Sequence, residues 1–175
     1  MAGRDAPVLR GARLTLRPYR ASDLEAQARV MADAEVARYL GGTPFSREDT
    51  WRRLCAAPGY WALLGYGFWV AEHNESGAYL GQIGFADFKR EMSPLIEGLP
   101  EMGWIFAPEA QGQGYCSEAL ALALAWADAT LDAPEIVAII DPGNAASIRV
   151  ARKAGFSKRE MATYRELPIL LLRRS

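Results

Sequence analysis

The residues best suited to carry chemistry form a glycine-rich segment, Gln111–Cys116, between an apolar strand-like stretch and a long helical stretch. At a helix N-terminus several backbone N–H donors lack partners, and the helix dipole adds partial positive charge. Glycine lets a ligand phosphate approach the backbone without a Cβ in the way, and a bulkier residue at Gly114 would block that approach. The segment therefore predicts an anion site that suits a phosphate group.

Two known classes of phosphate-binding loop fit this segment less well. A Walker loop requires Lys followed by Ser or Thr after its last glycine, and this chain has Tyr115 and Cys116 there. A dinucleotide-binding loop requires a third glycine, but Ser117 stands at that position. Glu135 lies at about the right distance for the ribose-binding acid, although it begins a strand and does not end one. The Walker loop is excluded, and a dinucleotide-dependent oxidoreductase remains an alternative.

Histidine chemistry is not expected. The chain has one histidine, His73, in a turn-like run between two strand-like segments. A zinc site or a Ser-His-Asp triad would need more than this residue can supply. Catalysis must therefore come from carboxylates, hydroxyls and backbone groups, and no metal is expected.

About seven strands and about four helices are expected to position these residues, from the hydrophobic periodicity and the turn signals. Strands are predicted at 13–17, 67–72, 79–85, 101–106, 135–140, 159–164 and 168–173. Helices are predicted from Ser22 or Asp23 to Met31, from Ser46 to just before Pro58, from Ser117 to about Asp132, and from Asn144 to Gly155. The segment 87–100 is expected to be irregular.

Composition limits the classes of protein to consider. Half of the 175 residues are apolar, and 20 Lys and Arg against 21 Asp and Glu give a net charge of −1. That balance gives no general attraction to nucleic acid. Two cysteines cannot build a disulfide scaffold, and no run approaches the roughly 20 apolar residues of a membrane helix. We expect one cytoplasmic domain over residues 1–175, with about the first ten residues flexible, no signal peptide and no membrane contact.

The glycine-rich segment resembles the motif Gln/Arg-x-x-Gly-x-Gly/Ala of the GNAT acetyltransferase superfamily. Downstream, Asn144–Ser147 and Gly155–Phe156 resemble the second signature of that superfamily. In the first part of the chain, Leu14–Pro18, Ser22–Asp23 and Asp33–Leu40 are similar to the RimJ/RimL-type branch. The resemblance covers nearly the whole chain, so it is far more specific than the glycine-rich segment alone.

This resemblance implies a single GNAT-like domain of the α/β (α+β) class. Its central sheet is expected to be mixed, largely antiparallel and twisted, with a V-shaped splay between the fourth and fifth strands. The implied acyl donor is acetyl-CoA, whose pantetheine arm enters the splay like a short extra strand.

The resemblance also implies how the donor is held. The backbone of Trp104 and Phe106, on either side of Ile105, would pair with the pantetheine amides, and Asn144 would hydrogen-bond to the pantetheine arm. The diphosphate would be held by the backbone N–H groups of Gln113, Gly114, Cys116 and Ser117, with Gln111, Gly112 and Tyr115 completing the loop.

Two positions depart from the family pattern. Cys116 stands where the motif has Gly or Ala, and its small size should preserve the cradle. A role for Cys116 as an acyl-carrying nucleophile is disfavoured, because the pantetheine arm would separate it from the thioester. Ala151 stands where many members have a tyrosine that protonates the departing thiolate. The RimJ/RimL-type branch instead has a serine three residues after Asn144, here Ser147, whose alternative role is helix capping.

A carboxylate is expected to act as the general base. The acceptor is expected to be a primary amine, which is protonated at neutral pH and must lose a proton before attack. Glu101 is the first candidate, because partial desolvation on the strand beside the donor would raise its pKa. Asp141, after the next strand, is the second. Their alternative roles are a solvated strand end and a turn cap. Direct attack in a ternary complex is predicted, with Ser147 donating a proton to sulfur.

The identity of the acceptor stays open between a protein N-terminus and a small-molecule amine. The segments Gly41–Phe45 and 87–100 are expected to contact it, and the weak acidic bias of the second segment suits a cationic amine. Aromatic residues early in the chain are expected in the core or, alternatively, on the acceptor side: Trp51, Tyr60, Trp61, Tyr66, Phe68 and Trp69.

Two further alternatives remain. A non-catalytic CoA-binding sensor could use the same fold and the same donor site. The apolar run 168–172 is typical of an edge strand that needs covering, either within a monomer or in a homodimer.

Overall fold

One open sheet organises the chain in the computed structural model, which describes residues 5–175. Within that range the nine strands are β1 (Leu9–Arg10), β2 (Leu14–Arg17), β3 (Phe68–His73), β4 (Tyr79–Ala86), β5 (Met92–Ser93), β6 (Glu101–Phe106), β7 (Ile136–Ile140), β8 (Lys158–Tyr164) and β9 (Leu167–Arg174). The five α-helices described there are α1 (Leu24–Met31), α2 (Ala34–Arg38), α3 (Arg47–Leu64), α4 (Tyr115–Thr130) and α5 (Ala145–Lys153).

The order along the sheet is β1-β2-β3-β4-β6-β7-β9-β8-β5. All neighbours are antiparallel except β6 and β7, which are parallel and pair only at Glu101 and Val137. Beyond that pair the two strands separate towards their carboxyl ends. The predicted fold class, a mixed and largely antiparallel sheet that opens between these strands, is confirmed.

The strand and helix counts exceed the expectation for a local reason. The strands β1 and β5 have two residues each, too few to show a periodic pattern. The helix α2 has five residues, and the side chain of Asp33 caps it by accepting from the N–H groups of Glu35 and Val36. Elements this short depend on their partners and caps, and not on a long apolar pattern.

The predicted end of the second long helix before Pro58 is wrong. Ser46 caps α3 as expected, but the helix continues through Pro58 and ends at Gly65, where φ is +77°. Proline removes one helical hydrogen bond. The ring of Trp61, one turn further on, is buried and its Nε1 donates to the carbonyl of Phe68 at 3.1 Å. That anchoring explains why the helix does not stop at proline.

Tryptophan side chains dominate the core on one face of the sheet. The ring centroids of Trp61, Trp69 and Trp126 lie 4.8 to 5.3 Å apart in edge-on contacts. Trp126 belongs to α4, so α4 covers this face. Two neighbouring residues of β4 lie on opposite faces of the sheet. Ile83 lies in this core, whereas Gln82 accepts a hydrogen bond from Gln27 of α1. The helices α1 and α4 therefore cover opposite faces.

The apolar run 168–172 is not part of an edge strand, and that expectation is wrong. Strand β9 lies between β7 and β8, and Leu171 and Leu172 are fully buried. Residues 170–172 are thus covered within one copy of the chain, while Pro168 is exposed. At the other end, β1 pairs with β2 and the carbonyl of Pro7 accepts from Trp69 at 2.8 Å. About the first ten residues were expected to be flexible, and residues 1–4 of these lie outside the described range.

None of the helices between residues 5 and 175 has the length and apolar character to cross a bilayer.

Candidate active site

The glycine-rich segment lies at the N-terminus of α4, as its sequence predicted. Gly114 is the N-cap with φ +82°, and Gly112 has φ +73°. Both values favour glycine. No group of the described residues accepts a hydrogen bond from the N–H groups in the first turn of this helix. The segment can therefore bind an anion through its backbone.

Side chains of the segment itself fix its path. Gln111 donates from Nε2 to the carbonyl of Phe106 at 3.0 Å, and Gln113 donates to the carbonyl of Glu109 at 2.6 Å. Both glutamines thus hold the loop to the end of β6 and to the short turn behind it. Their role is to support the loop, and its backbone N–H groups stay open.

The open edge of β6 presents the backbone groups that were expected to meet the pantetheine arm. The N–H of Ala107 donates to the carbonyl of Leu80 at 2.8 Å. Hydrogen-bonded pairs alternate along an antiparallel ladder, so the amide of Ile105 also faces β4, while those of Trp104 and Phe106 face β7. Because β6 and β7 separate there, the Trp104 and Phe106 amides line the opening. Ile105 can contribute only its side chain.

At the start of α5 the helix is capped by Asn144 and not by Ser147, the proposed acid. The side-chain oxygen of Asn144 accepts from the N–H of Ser147 at 3.1 Å, so Asn144 is the cap. The hydroxyl of Ser147 makes no hydrogen bond to any group of residues 5–175, and the side chain is partly exposed. The amide nitrogen of Asn144 also keeps its donors. Both side chains therefore retain groups for a ligand.

Asp141 holds the turn that leads from β7 into α5. Its Oδ1 accepts from the N–H of Gly143 at 2.7 Å, and its carbonyl accepts from the N–H of Asn144 at 2.9 Å. A Cβ placed on Gly143 would lie 3.1 Å from that Oδ1 and 4.0 Å from the ring of Tyr39. The end of α2 thus approaches this turn, and Asp141 has the turn-capping role that was its alternative.

Glu101 is buried and paired. It is only 4% exposed, and its two oxygens accept from Nε and Nη2 of Arg90 at 2.6 and 2.8 Å. Burial raises the pKa of Glu101 above its ordinary value, and the hydrogen bonds and charge of Arg90 act in the opposite direction. The expectation of a desolvated carboxylate agrees with this geometry, and that of a solvated strand end does not. Sequence reasoning did not identify Arg90 as its partner.

Aromatic rings surround that ion pair. The guanidinium of Arg90 lies 4.7 Å from the ring centroid of Phe88 and 4.8 Å from that of Tyr164. Phe88 in turn packs against Tyr60 and Phe68 at centroid distances of 5.9 and 6.2 Å. The early aromatic residues are therefore divided. Tyr60 and Phe68 line the side of the sheet that carries Glu101, the side chains of Trp61 and Trp69 lie in the core, and that of Trp51 is exposed.

The acidic residues of the segment 87–100 are only partly paired within it, because a single lysine lies between two carboxylates. The Nζ of Lys89 lies 2.7 Å from Asp87 and 3.2 Å from Glu97. Asp87 also accepts from the N–H of Gly98 at 3.0 Å. These contacts fold the segment back on itself, so the charges of Asp87, Lys89 and Glu97 stabilise the loop.

The structure does not favour Cys116 as a nucleophile. Burial raises the pKa of its thiol to about 12, whereas a reactive cysteine requires a lowered pKa.

His73 packs edge-on against Tyr115 with centroids 5.7 Å apart and accepts from the N–H of Ser76, so it has a turn role. Glu135, the acid of the dinucleotide alternative, pairs with Arg173 at 2.6 Å.

The profile described as "Acetyltransferase (GNAT) domain" matches residues 13–157. The uncharacterized protein YkkB of Bacillus subtilis (strain 168) is 39% identical over 93 residues, which are 52% of each chain. An acetyltransferase from Agrobacterium tumefaciens str. C58 is 30% identical, with a TM-score of 0.80 over 98% of this chain and 95% of that one.

Two further solved structures share the fold. A GnaT-family acetyltransferase from Bordetella pertussis is 28% identical, with a TM-score of 0.83 over 97% of this chain and all of that one. RimL, a ribosomal L7/L12 alpha-N-protein acetyltransferase solved with coenzyme A, is 19% identical with a TM-score of 0.74, covering 96% of this chain and 97% of its own. The similarity to RimL concerns the fold alone.

Proposed function

Because this chain belongs to the GNAT acetyltransferase family, we propose that it transfers the acetyl group of acetyl-CoA to the primary amine of a protein N-terminus or a small molecule. One observation carries the proposal: the N–H groups at the start of α4, which have no partner among the described residues, follow the end of β6 at the opening between β6 and β7. An anion site next to a strand edge that β7 leaves open suits a donor with a diphosphate and an amide-containing arm.

The donor would be bound mainly by backbone. The N–H groups of Gln113, Gly114, Cys116 and Ser117 would hold the diphosphate, and the positive φ of Gly112 and Gly114 keeps the loop open for it. The amides of Trp104 and Phe106 would pair with the pantetheine arm, and the free amide nitrogen of Asn144 would donate to it. When bound, acetyl-CoA supplies an activated thioester carbonyl.

Glu101 would remove the proton of the acceptor. Both of its oxygens accept from Arg90, so an acceptor ammonium or a water would use the remaining lone pairs of the carboxylate or replace one of these hydrogen bonds. The raised pKa of the buried Glu101 makes it a stronger base than an exposed carboxylate. The unbonded hydroxyl of Ser147 would supply a proton to the departing sulfur in a direct-attack ternary complex.

A CoA-binding sensor on the same fold is the second candidate. The observation in its favour is that both candidate bases are already engaged, Glu101 by Arg90 and Asp141 by the N–H of Gly143. A protein that only reports the presence of CoA needs the loop and the strand edge but no free base.

Two measurements separate these functions. A thermal-shift series with acetyl-CoA, CoA and NAD(P) identifies the ligand, because a ligand at 100 times its Kd adds about 2.7 kcal/mol to the free energy of unfolding. Stabilisation by NAD(P) and not by CoA would overturn the acetyltransferase assignment. Release of free thiol from acetyl-CoA with peptides, polyamines and aminoglycosides then tests turnover, and binding without release for every acceptor supports the sensor.

Glu101→Gln tests the base. We expect kcat to fall by about 10² to 10⁴, the usual contribution of a positioned base, while stabilisation by acetyl-CoA is retained. Glu48→Gln on the exposed side of α3 removes the same charge and should leave both values unchanged. Full activity in both Glu101→Gln and Asp141→Asn would rule out a carboxylate base.

A further inference from the structure

Arg13, in the turn between β1 and β2, reaches across to the glycine-rich loop. Its Nη1 donates to the carbonyl of Gln113 at 2.8 Å, and its Nε donates to Glu118 Oε2, also at 2.8 Å. Its backbone N–H donates to the other oxygen of Glu118 at 2.8 Å, and its guanidinium lies 4.6 Å from the ring centroid of Tyr115. Arg13, which lies early in the sequence, thus contacts both the loop and the first turns of α4.

The position of Arg13 is itself fixed. The N–H of Asn74 donates to the carbonyl of Arg13 at 2.9 Å, and the Asn74 side chain donates to the carbonyls of Gly11 and Ala12 at 3.1 and 3.3 Å. The hydroxyl of Thr15 donates to the Asn74 oxygen at 2.7 Å. The hairpin turn after β3 therefore holds the β1–β2 turn, and the guanidinium is presented in one place.

The charge of Glu118 makes this contact significant for an anion site. Burial acts to raise the pKa of Glu118, but the hydrogen bonds and charge of Arg13 outweigh it and lower the pKa overall. Glu118 is thus an anion near the N-terminus of α4, close to where a diphosphate would bind. An unpaired carboxylate there would repel the ligand. Arg13 cancels this charge in an ion pair whose side chains are 46% and 18% exposed.

One nitrogen of Arg13 remains available beside the loop. Its Nη2 makes no hydrogen bond to residues 5–175, and it lies 3.2 Å from the place where a Cβ on Gly114 would stand. The guanidinium thus adds an N–H donor at the glycine that the ligand must approach. The short distance also gives a second reason, besides positive φ, for glycine at 114.

We propose that Arg13 is a positioning residue for the donor diphosphate: it fixes the Gln113 carbonyl, neutralises Glu118 and presents Nη2 beside Gly114. The inference rests on the proposed use of acetyl-CoA. The residue lies outside the glycine-rich motif, and its sequence position about 100 residues earlier gives no sign of this role.

The test compares two acyl donors, acetyl-CoA and S-acetylpantetheine, which lacks the diphosphate. In Arg13→Ala we expect KM for acetyl-CoA to rise about 10- to 100-fold, as for loss of charge-assisted hydrogen bonds. KM for S-acetylpantetheine and kcat at saturation should stay near wild-type values. Arg52→Ala, on the exposed side of α3, removes an equal charge and serves as the control.

Two more variants separate the parts of the role. Adding Glu118→Gln to Arg13→Ala removes the unpaired carboxylate and should recover part of the lost affinity for acetyl-CoA. Asn74→Ala keeps the charge but frees the turn, so it should raise KM for acetyl-CoA less than Arg13→Ala does. Thermal unfolding of each variant checks that the fold is intact.

The possible results are distinguishable. If the wild type uses acetyl-CoA and Arg13→Ala uses it equally well, the inference on Arg13 is overturned and the proposed function stands. Equal loss with both donors also overturns it, because Arg13 would then support the fold alone. If the wild type neither binds nor uses acetyl-CoA, the proposed function itself fails.

Discussion

Asn144 offers a test that separates folding from donor binding, because its two polar atoms have different partners. The oxygen accepts from the N–H of Ser147 at 3.1 Å and caps α5, while the nitrogen has no partner among residues 5–175. Asn144→Ala removes both atoms, and loss of a cap costs about 1 kcal/mol. For a chain of this size that corresponds to a Tm decrease of about 2–4 °C. Asn144→Asp keeps the capping oxygen and adds a negative charge, which a helix N-terminus favours by about 0.3–1 kcal/mol.

The two variants should therefore differ in stability and agree in binding. Asn144→Asp is expected to unfold at or slightly above the wild-type Tm, and Asn144→Ala below it. Both lack the amide donor, so KM for acetyl-CoA should rise about tenfold in each, equivalent to about 1.4 kcal/mol. Differential scanning fluorimetry and steady-state thiol release measure these values. Wild-type KM in Asn144→Asp would show that the amide does not hold the pantetheine arm, and a Tm loss equal to that of Asn144→Ala would refute the capping argument.

Three further predictions follow from the site. Ser147→Ala should lower kcat about a hundredfold with Tm unchanged, since Asn144 supplies the cap. An unchanged kcat, or a lower Tm, would contradict this. Arg90→Gln should move the acid limb of the kcat/KM profile to higher pH, because burial raises the pKa of Glu101 and the opposing effect of Arg90 is lost; a shift to lower pH would reject this electrostatic argument. Cys116→Ala should keep its activity, and iodoacetamide at pH 8 should label exposed Cys55 first, because a thiol with a pKa of about 12 is ionised in only about one molecule in 10⁴; faster labelling of Cys116, measured by peptide mass spectrometry, would count against burial.

The parts of the fold that the sequence predicted are those with local signals. The glycines at 112 and 114 mark positive φ, and the pattern of Glu101–Phe106 marks a strand. Asn144, before a helical pattern, marks a cap. Each signal arises within a few residues of the element that it specifies, so one sequence is enough to identify it.

The parts that could not be predicted depend on contacts between distant segments. Nothing near Pro58 shows that the burial of Trp61 carries α3 past it. The place of β9 inside the sheet depends on its pairing with both β7 and β8. Ion pairs are the hardest case, since Arg13 and Glu118 are 105 residues apart and any of several arginines could have been the partner.

The charges around the site indicate how a cationic acceptor would be recognised under the proposed function. Asp87 and Glu97 are paired with Lys89, and Glu101 is paired with Arg90. With Glu91 included, the four acids of residues 87–101 still outnumber the two cations by two, so a net negative charge remains to attract an amine. At close range the ammonium would take the place of the guanidinium beside Glu101. Because the rings of Phe88 and Tyr164 already flank that cation, they would also stabilise a cation that replaces it.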